Sequence, residues 1–115
     1  MVTVIRPILQ EACMLELTVL TVQDCPNAAV LHERLTQALA GHPGASMITQ
    51  HVIDDEVSAA ALGMHGSPTL LINGVDVFAS AGTPTSVSCR LYRDETGSTG
   101  GAPSVTALRR ALEQA

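Results

Sequence analysis

The apolar positions Leu15, Leu17 and Val19 alternate within a run rich in β-branched residues, so Leu15 to Val22 reads as a strand. A short polar loop, Gln23-Asp24-Cys25, follows it. From Pro26 to Ala40 the spacing turns helical. Ala29, Val30, Leu31, Leu35, Ala38 and Leu39 supply an apolar stripe, and His32, Glu33, Arg34 and Gln37 a polar side. Pro26 suits the first helical position, where a missing N–H costs nothing. Gly41-His42-Pro43-Gly44 ends the helix.

A second strand is expected within Ser46 to Ile53. Asp54 or Asp55 then caps a short helix that runs through Leu62. Gly63 and Gly66 bracket Met64-His65 as a connector. Thr69 to Ile72 reads as a strand, and Asn73-Gly74 is a type I′ turn signal that predicts a hairpin with Val75 to Phe78. The stretch Ala79 to Ala102 is rich in Gly, Ser and Thr, with a short strand possible at Val87 to Tyr92. Pro103 opens a last helix to Glu113 that turns Val105, Leu108, Ala111 and Leu112 inward. The order strand, helix, strand, helix, strand, strand, helix predicts an α/β fold. Its mixed sheet has about four strands and carries helices on its faces.

Composition narrows the class. The 115 residues suit one domain, and 46% of them are apolar, which excludes a disordered chain. Tyr92 and Phe78 are the only aromatic residues, so aliphatic side chains must build the core. Eleven acidic residues outnumber six arginines, lysine is absent and the net charge is −5. That balance argues against nucleic acid as a partner. No apolar run approaches a membrane span, and the segment Met1 to Gln10, interrupted by Pro7, lacks a signal-peptide pattern. The cytoplasm is the expected compartment, where three cysteines suggest reactive or metal-binding thiols rather than a disulfide framework. Residues 1–14 read as an N-terminal extension without a role for Cys13, ahead of a domain at 15–115. Nothing in the pattern specifies an oligomeric state.

The candidate chemistry centres on Cys25. A sulfur at a helix N-terminus meets unpaired N–H groups and the positive end of the helix dipole, and both favour thiolate over thiol. Asp24 opposes this with its own charge. Cys89 is a second candidate thiol, flanked by Arg90 and Arg93, whose positive charges would favour its thiolate. His32 and His42 read as surface residues, and His65 as a group able to tune local charge.

Two segments carry a family resemblance. The passage from strand through Cys25-Pro26 into a helix resembles the active-site turn of the thioredoxin superfamily. Leu62 to Gly74, with Gly66-Ser67-Pro68-Thr69 leading into an apolar strand and a Gly turn, resembles that family's cis-proline segment. The likeness spans roughly Leu15 to Phe78 and the last helix. Asp24-Cys25-Pro26-Asn27-Ala28, Gly63 to Thr69 and Ser88 to Arg93 also look like short actinobacterial proteins labelled alkylmercury-lyase-like or thioredoxin-like.

The resemblance implies a thioredoxin-like domain with a cis bond at Ser67-Pro68, so that Ser67 offers backbone hydrogen bonds opposite Cys25. It makes Pro26, Ser67, Pro68 and Thr69 substrate-binding positions. The family's second cysteine falls at Ala28, which leaves no resolving thiol in the same turn. Three options stay open. Cys25 acts alone, with glutathione as co-substrate; a distant cysteine, Cys89, resolves a disulfide of a small molecule or protein; or Cys25 and Cys89 together hold a soft cation such as Hg(II). Cleavage of a mercurial would further need an acid, for which Asp24 is the candidate. A binding module that keeps the fold without catalysis is the remaining alternative.

Overall fold

The computed structural model describes residues 14–115; of the expected extension, all but Met14, Cys13 included, lies outside the described residues. The central sheet has three strands in the order β2-β1-β4. Strand β1 (Leu15–Thr21) pairs in parallel with β2 (Ser46–Val52) and antiparallel with β4 (Thr69–Ile72). Helix α1 (Pro26–Leu39) forms the crossover between the parallel strands, and α2 (Glu56–Leu62) leads on from β2. The mixed α/β architecture expected from the sequence is present, with a smaller central sheet.

Alternation along β1 and β4 divides the core in two. Leu15, Leu17 and Val19 of β1 and Leu70 and Ile72 of β4 face Leu31, Leu35 and Ala38 of α1. Leu108, Ala111 and Leu112 of α3 (Val105–Gln114) complete that cluster. On the other face, Leu20 and Leu71 meet Ile53, Met64 and Ala59 of α2. Helix starts follow the side chains available to cap them. Asp55 accepts from Ser58 N–H at 2.8 Å, which selects it over Asp54. Ser104 accepts from Ala107 N–H at 3.1 Å, so α3 begins after Pro103 rather than at it. No described helix is long and apolar enough to cross a membrane.

The expected hairpin is cut short. Asn73 (φ 51°) and Gly74 (φ 85°) make the turn, and an Ile72–Val75 bridge closes it. The chain then bends instead of continuing as a strand to Phe78. Asp76 causes the bend: its side chain accepts from Phe78 N–H at 3.0 Å and its carbonyl from Ala79 N–H at 3.3 Å.

The Met64-His65 connector is also more ordered than expected. His65–Ser67 forms β3, paired in parallel with β5 (Ser86–Cys89) through His65–Ser86 and Ser67–Cys89, with one irregularity between. The single strand expected at Val87 to Tyr92 is broken at Arg90-Leu91. Beyond the break, β6 (Tyr92–Arg93) pairs with β7 (Thr99–Gly100).

Candidate functional site

Cys25 is the N-cap residue of α1, with extended backbone at φ −68° and ψ 116°. The turn that delivers it uses Asp24 in the left-handed region (φ 59°), which aspartate tolerates better than most residues. Cys25 N–H donates to Val22 carbonyl at 3.3 Å and closes this turn onto the end of β1. The Cys25 side chain makes no capping hydrogen bond and is half-buried. It opens onto a groove of about 430 Å³ lined by Ala28, Ala29, His32, Glu33 and Gln50. The helix residues in that lining recur at the three- and four-residue spacing of one helix face. Pro26 occupies the first turn and is exposed.

The Ser67-Pro68 peptide is cis. Ser67 is buried, and its Oγ accepts from Val22 N–H at 3.0 Å. This bond fastens the cis-proline corner to the base of the Cys25 turn. The Ser67 carbonyl is engaged as well, accepting from Arg90 N–H at 3.1 Å, and the Pro68 carbonyl accepts from the Tyr92 hydroxyl. Thr69 is fully enclosed. Its hydroxyl donates to Gly66 carbonyl at 2.6 Å and accepts from His65 N–H at 3.1 Å and Arg90 Nη1 at 3.3 Å. Ser67 is expected to offer backbone hydrogen bonds opposite Cys25; its carbonyl is taken by the N–H of Arg90, the residue after β5. Thr69 likewise holds the chain together rather than facing a ligand.

Arg90 takes a different part from the one its place in the sequence suggested. Its guanidinium pairs with Asp76 at 2.7 Å and lies 4.5 Å over the Tyr92 ring. Both partners of the ion pair are nearly enclosed, with Arg90 9% and Asp76 5% exposed. The guanidinium is thus engaged by Asp76 and Tyr92. Arg93 reaches Gly97 carbonyl at 3.5 Å. Burial pushes the Tyr92 phenol well above its ordinary value of 10.0; nearby Arg90 pulls against this, while Asp76 and Cys25 add to it. Phe78 packs edge-on against the same ring at 5.8 Å.

Cys89 is exposed at the end of β5, and both it and Cys25 are free thiols. The two chain segments meet Ser67 from different sides, Cys25 through Val22 and Cys89 through strand register. Asp24 is exposed in its turn. His65 Nδ1 is 3.3 Å from Pro84 carbonyl, and His42 Nε2 is 3.4 Å from Leu112 carbonyl. Among the described residues no group of three or more His, Cys, Asp or Glu gathers around a common point.

Sequence reading assigns Asp76 and Gln50 no part in the site, takes His32 for a surface residue and Tyr92 for the end of a strand. The helical spacing of His32 from Cys25 was a usable signal. Asp76, Tyr92 and Gln50 come in through tertiary contacts that have no local signature. No family model, curated protein or solved structure matches the chain at a significant level.

Proposed function

We propose that this chain is a thioredoxin-like thiol protein that carries out thiol–disulfide exchange through Cys25. The observation that carries the reading is the Cys25 side chain, uncapped at the start of α1 and open to a groove, in a turn whose base is tied through Val22 N–H to Ser67 of the cis Ser67-Pro68 corner. An N-terminal helix position favours the thiolate that attacks disulfides. The order of elements, with the cysteine turn after β1 and the cis-proline directly before β4, supports the fold assignment.

The step is conservative. Cys25 thiolate attacks one sulfur of a disulfide, forms a mixed disulfide with it and releases the other sulfur as a thiolate. A second thiol then attacks the mixed disulfide and frees the bound sulfur. Ala28 cannot supply that thiol within the turn. The substrate class is a small-molecule or protein disulfide. The cytoplasm, with its glutathione pool, is the compartment that fits a free thiol of this kind.

The test is exchange with a glutathione mixed disulfide, followed by thiol release, in the parent protein and in Cys25→Ser. We expect the parent to turn over and Cys25→Ser to fall to the uncatalysed rate. Equal rates would refute the assignment. Release of hydrocarbon from an arylmercurial without disulfide exchange would assign the site to carbon–mercury cleavage.

A further inference from the structure

We propose that a cavity lined from β3, residues 78–83 and β6 binds a small carboxylate with an apolar body. The cavity measures about 370 Å³, a size that suits a small molecule. Phe78, Leu91 and Tyr92 supply its apolar surface, and Arg90, Arg93 and His65 its polar surface. It shares no lining residue with the Cys25 groove, so a ligand here is separate from the exchange site.

Charge decides the class of ligand. The chain carries a net charge of −5, yet no acidic residue lines this cavity. Arg93 is exposed, and its guanidinium has no ion-pair partner among the described residues. The acids that follow it in sequence are turned elsewhere. Asp94 accepts from Thr96 and Ser98 N–H, and Glu95 from the Ser104 hydroxyl. The 3.5 Å contact of Arg93 with Gly97 carbonyl is long enough to yield to a carboxylate. Arg90, only 9% exposed, is neutralised by Asp76, but among the described residues nothing accepts from its Nε–H. No enclosed side-chain polar atom among them is left unpaired, so this N–H meets solvent, and Arg90 lines the cavity. His65, held by Nδ1 against Pro84 carbonyl at 3.3 Å, adds a ring that is neutral or positive.

One uncompensated cation suits a monoanion. A phosphate dianion would need a second, and the charge of Arg90 is already matched by Asp76. A carboxylate is flat and accepts paired N–H bonds from a guanidinium. The apolar surface calls for more than an inorganic ion. Leu91 is 73% exposed, and a hydrocarbon body in the cavity would cover it and gain from its burial. The Phe78 and Tyr92 rings, packed edge to face, offer a rigid surface for the same body.

The experiment titrates the full chain with cyclohexanecarboxylate, which is transparent where tyrosine absorbs. Tyr92 is the only tyrosine and there is no tryptophan, so its emission is a reporter set in the cavity wall. We expect a saturable change in that emission with a Kd of about 1 mM or tighter. The neutral isostere cyclohexanecarboxamide should bind at least about tenfold more weakly, and the acid should lose about tenfold in Arg93→Ala and in Leu91→Asp. Both positions are exposed, and far-UV circular dichroism checks that each variant keeps the fold. Cys25→Ser should bind the acid as the parent does, whether or not the parent exchanges disulfides. No saturation by about 10 mM, equal affinity for the amide, or tighter binding of inorganic phosphate would overturn the proposal. So would parent-like affinity in either cavity variant, or loss of binding in Cys25→Ser, which would place the acid in the Cys25 groove.

Discussion

Asp76→Asn should destabilise the protein far more than a surface charge deletion, because it strands Arg90 inside the fold. The pair spans 2.7 Å, and its members are 9% and 5% exposed. The substitution keeps the side-chain shape and the acceptor for Phe78 N–H, so the change isolates the charge. Removing one partner of a buried pair costs about 3–5 kcal/mol. Arg90 retains Thr69 Oγ1 and the Tyr92 ring, which places the loss near the lower end, about 3 kcal/mol. A domain of this size unfolds with an entropy of about 0.2 kcal/mol/K, so Tm should fall by about 15 °C. Thermal and urea unfolding followed by far-UV circular dichroism read both quantities. The double variant Asp76→Asn with Arg90→Met removes the stranded charge, and most of the loss should return. A loss below about 1 kcal/mol in the single variant would mean that water reaches the pair and that the enclosed-latch reasoning is wrong. A double variant no better than the single would refute it too.

Other expectations follow from individual contacts. Tyr92 is the only tyrosine and there is no tryptophan, so its ionisation can be followed cleanly by ultraviolet absorbance. Burial raises its folded pKa above 10.0, so the native protein should show no phenolate at the pH where free tyrosine ionises. The associated stability is fully present below about pH 10 and lost above it, and Tyr92→Phe should blunt that alkaline loss; a normal titration curve in the folded protein would contradict the buried hydrogen bond. Ser67→Ala leaves Val22 N–H without its acceptor and should cost about 1–3 kcal/mol in urea unfolding, with faster alkylation of Cys25 as its turn loosens; unchanged values would deny Ser67 its tethering role. Gly66→Ala builds a Cβ 2.8 Å from Arg90 Cβ at φ +115°, so amide exchange should accelerate along Ser86 to Arg90 before it does in β1; uniform protection would show that β5 accommodates the methyl. Asp55 and Asp94 are held below the ordinary carboxylate range chiefly by hydrogen bonds from Ser58 and Thr96; their contribution is present above about pH 4 and fades as pH falls, and Asp55→Ala should remove part of that acid dependence.

What could be read from the chain follows the range of the forces involved. The period-2 run at Leu15 to Val19 and the helical stripe from Ala29 to Leu39 each report burial against a face, and both lie where the pattern placed them. Asn73-Gly74 declares its turn through backbone conformation alone, and the turn forms. The strand beyond it failed for a reason the alternation of Val75, Asp76, Val77 and Phe78 conceals. In a hairpin arm Asp76 would be just another polar position. Here it is drawn inward to a guanidinium 14 residues away, and the hydrogen bonds it accepts from Phe78 and Ala79 N–H bend the backbone.

The same limit explains the site. Cys25 and the Ser67-Pro68 corner were legible because each advertises itself within a few residues, a cysteine before a helix-starting proline and a serine-proline step before an apolar strand. Their connection was not, because one hydrogen bond from Val22 to Ser67 across 45 residues makes it. Arg90 is the sharpest case. Next to Cys89 in sequence, it reads as a charge for that thiol, yet backbone geometry sends its side chain to Asp76 and Tyr92 and uses its N–H on Ser67. The consequence for chemistry is positional. Arg90 anchors the residue beside it, so the place of Cys89 is set by a buried ion pair. Loosening that pair should therefore speed amide exchange along Ser86 to Arg90 while leaving that of the Cys25 turn unaffected. Asp76→Asn supplies the comparison at a temperature where it remains folded. Equal acceleration in both segments would show that the latch supports the whole domain and has no selective hold on β5 and Cys89.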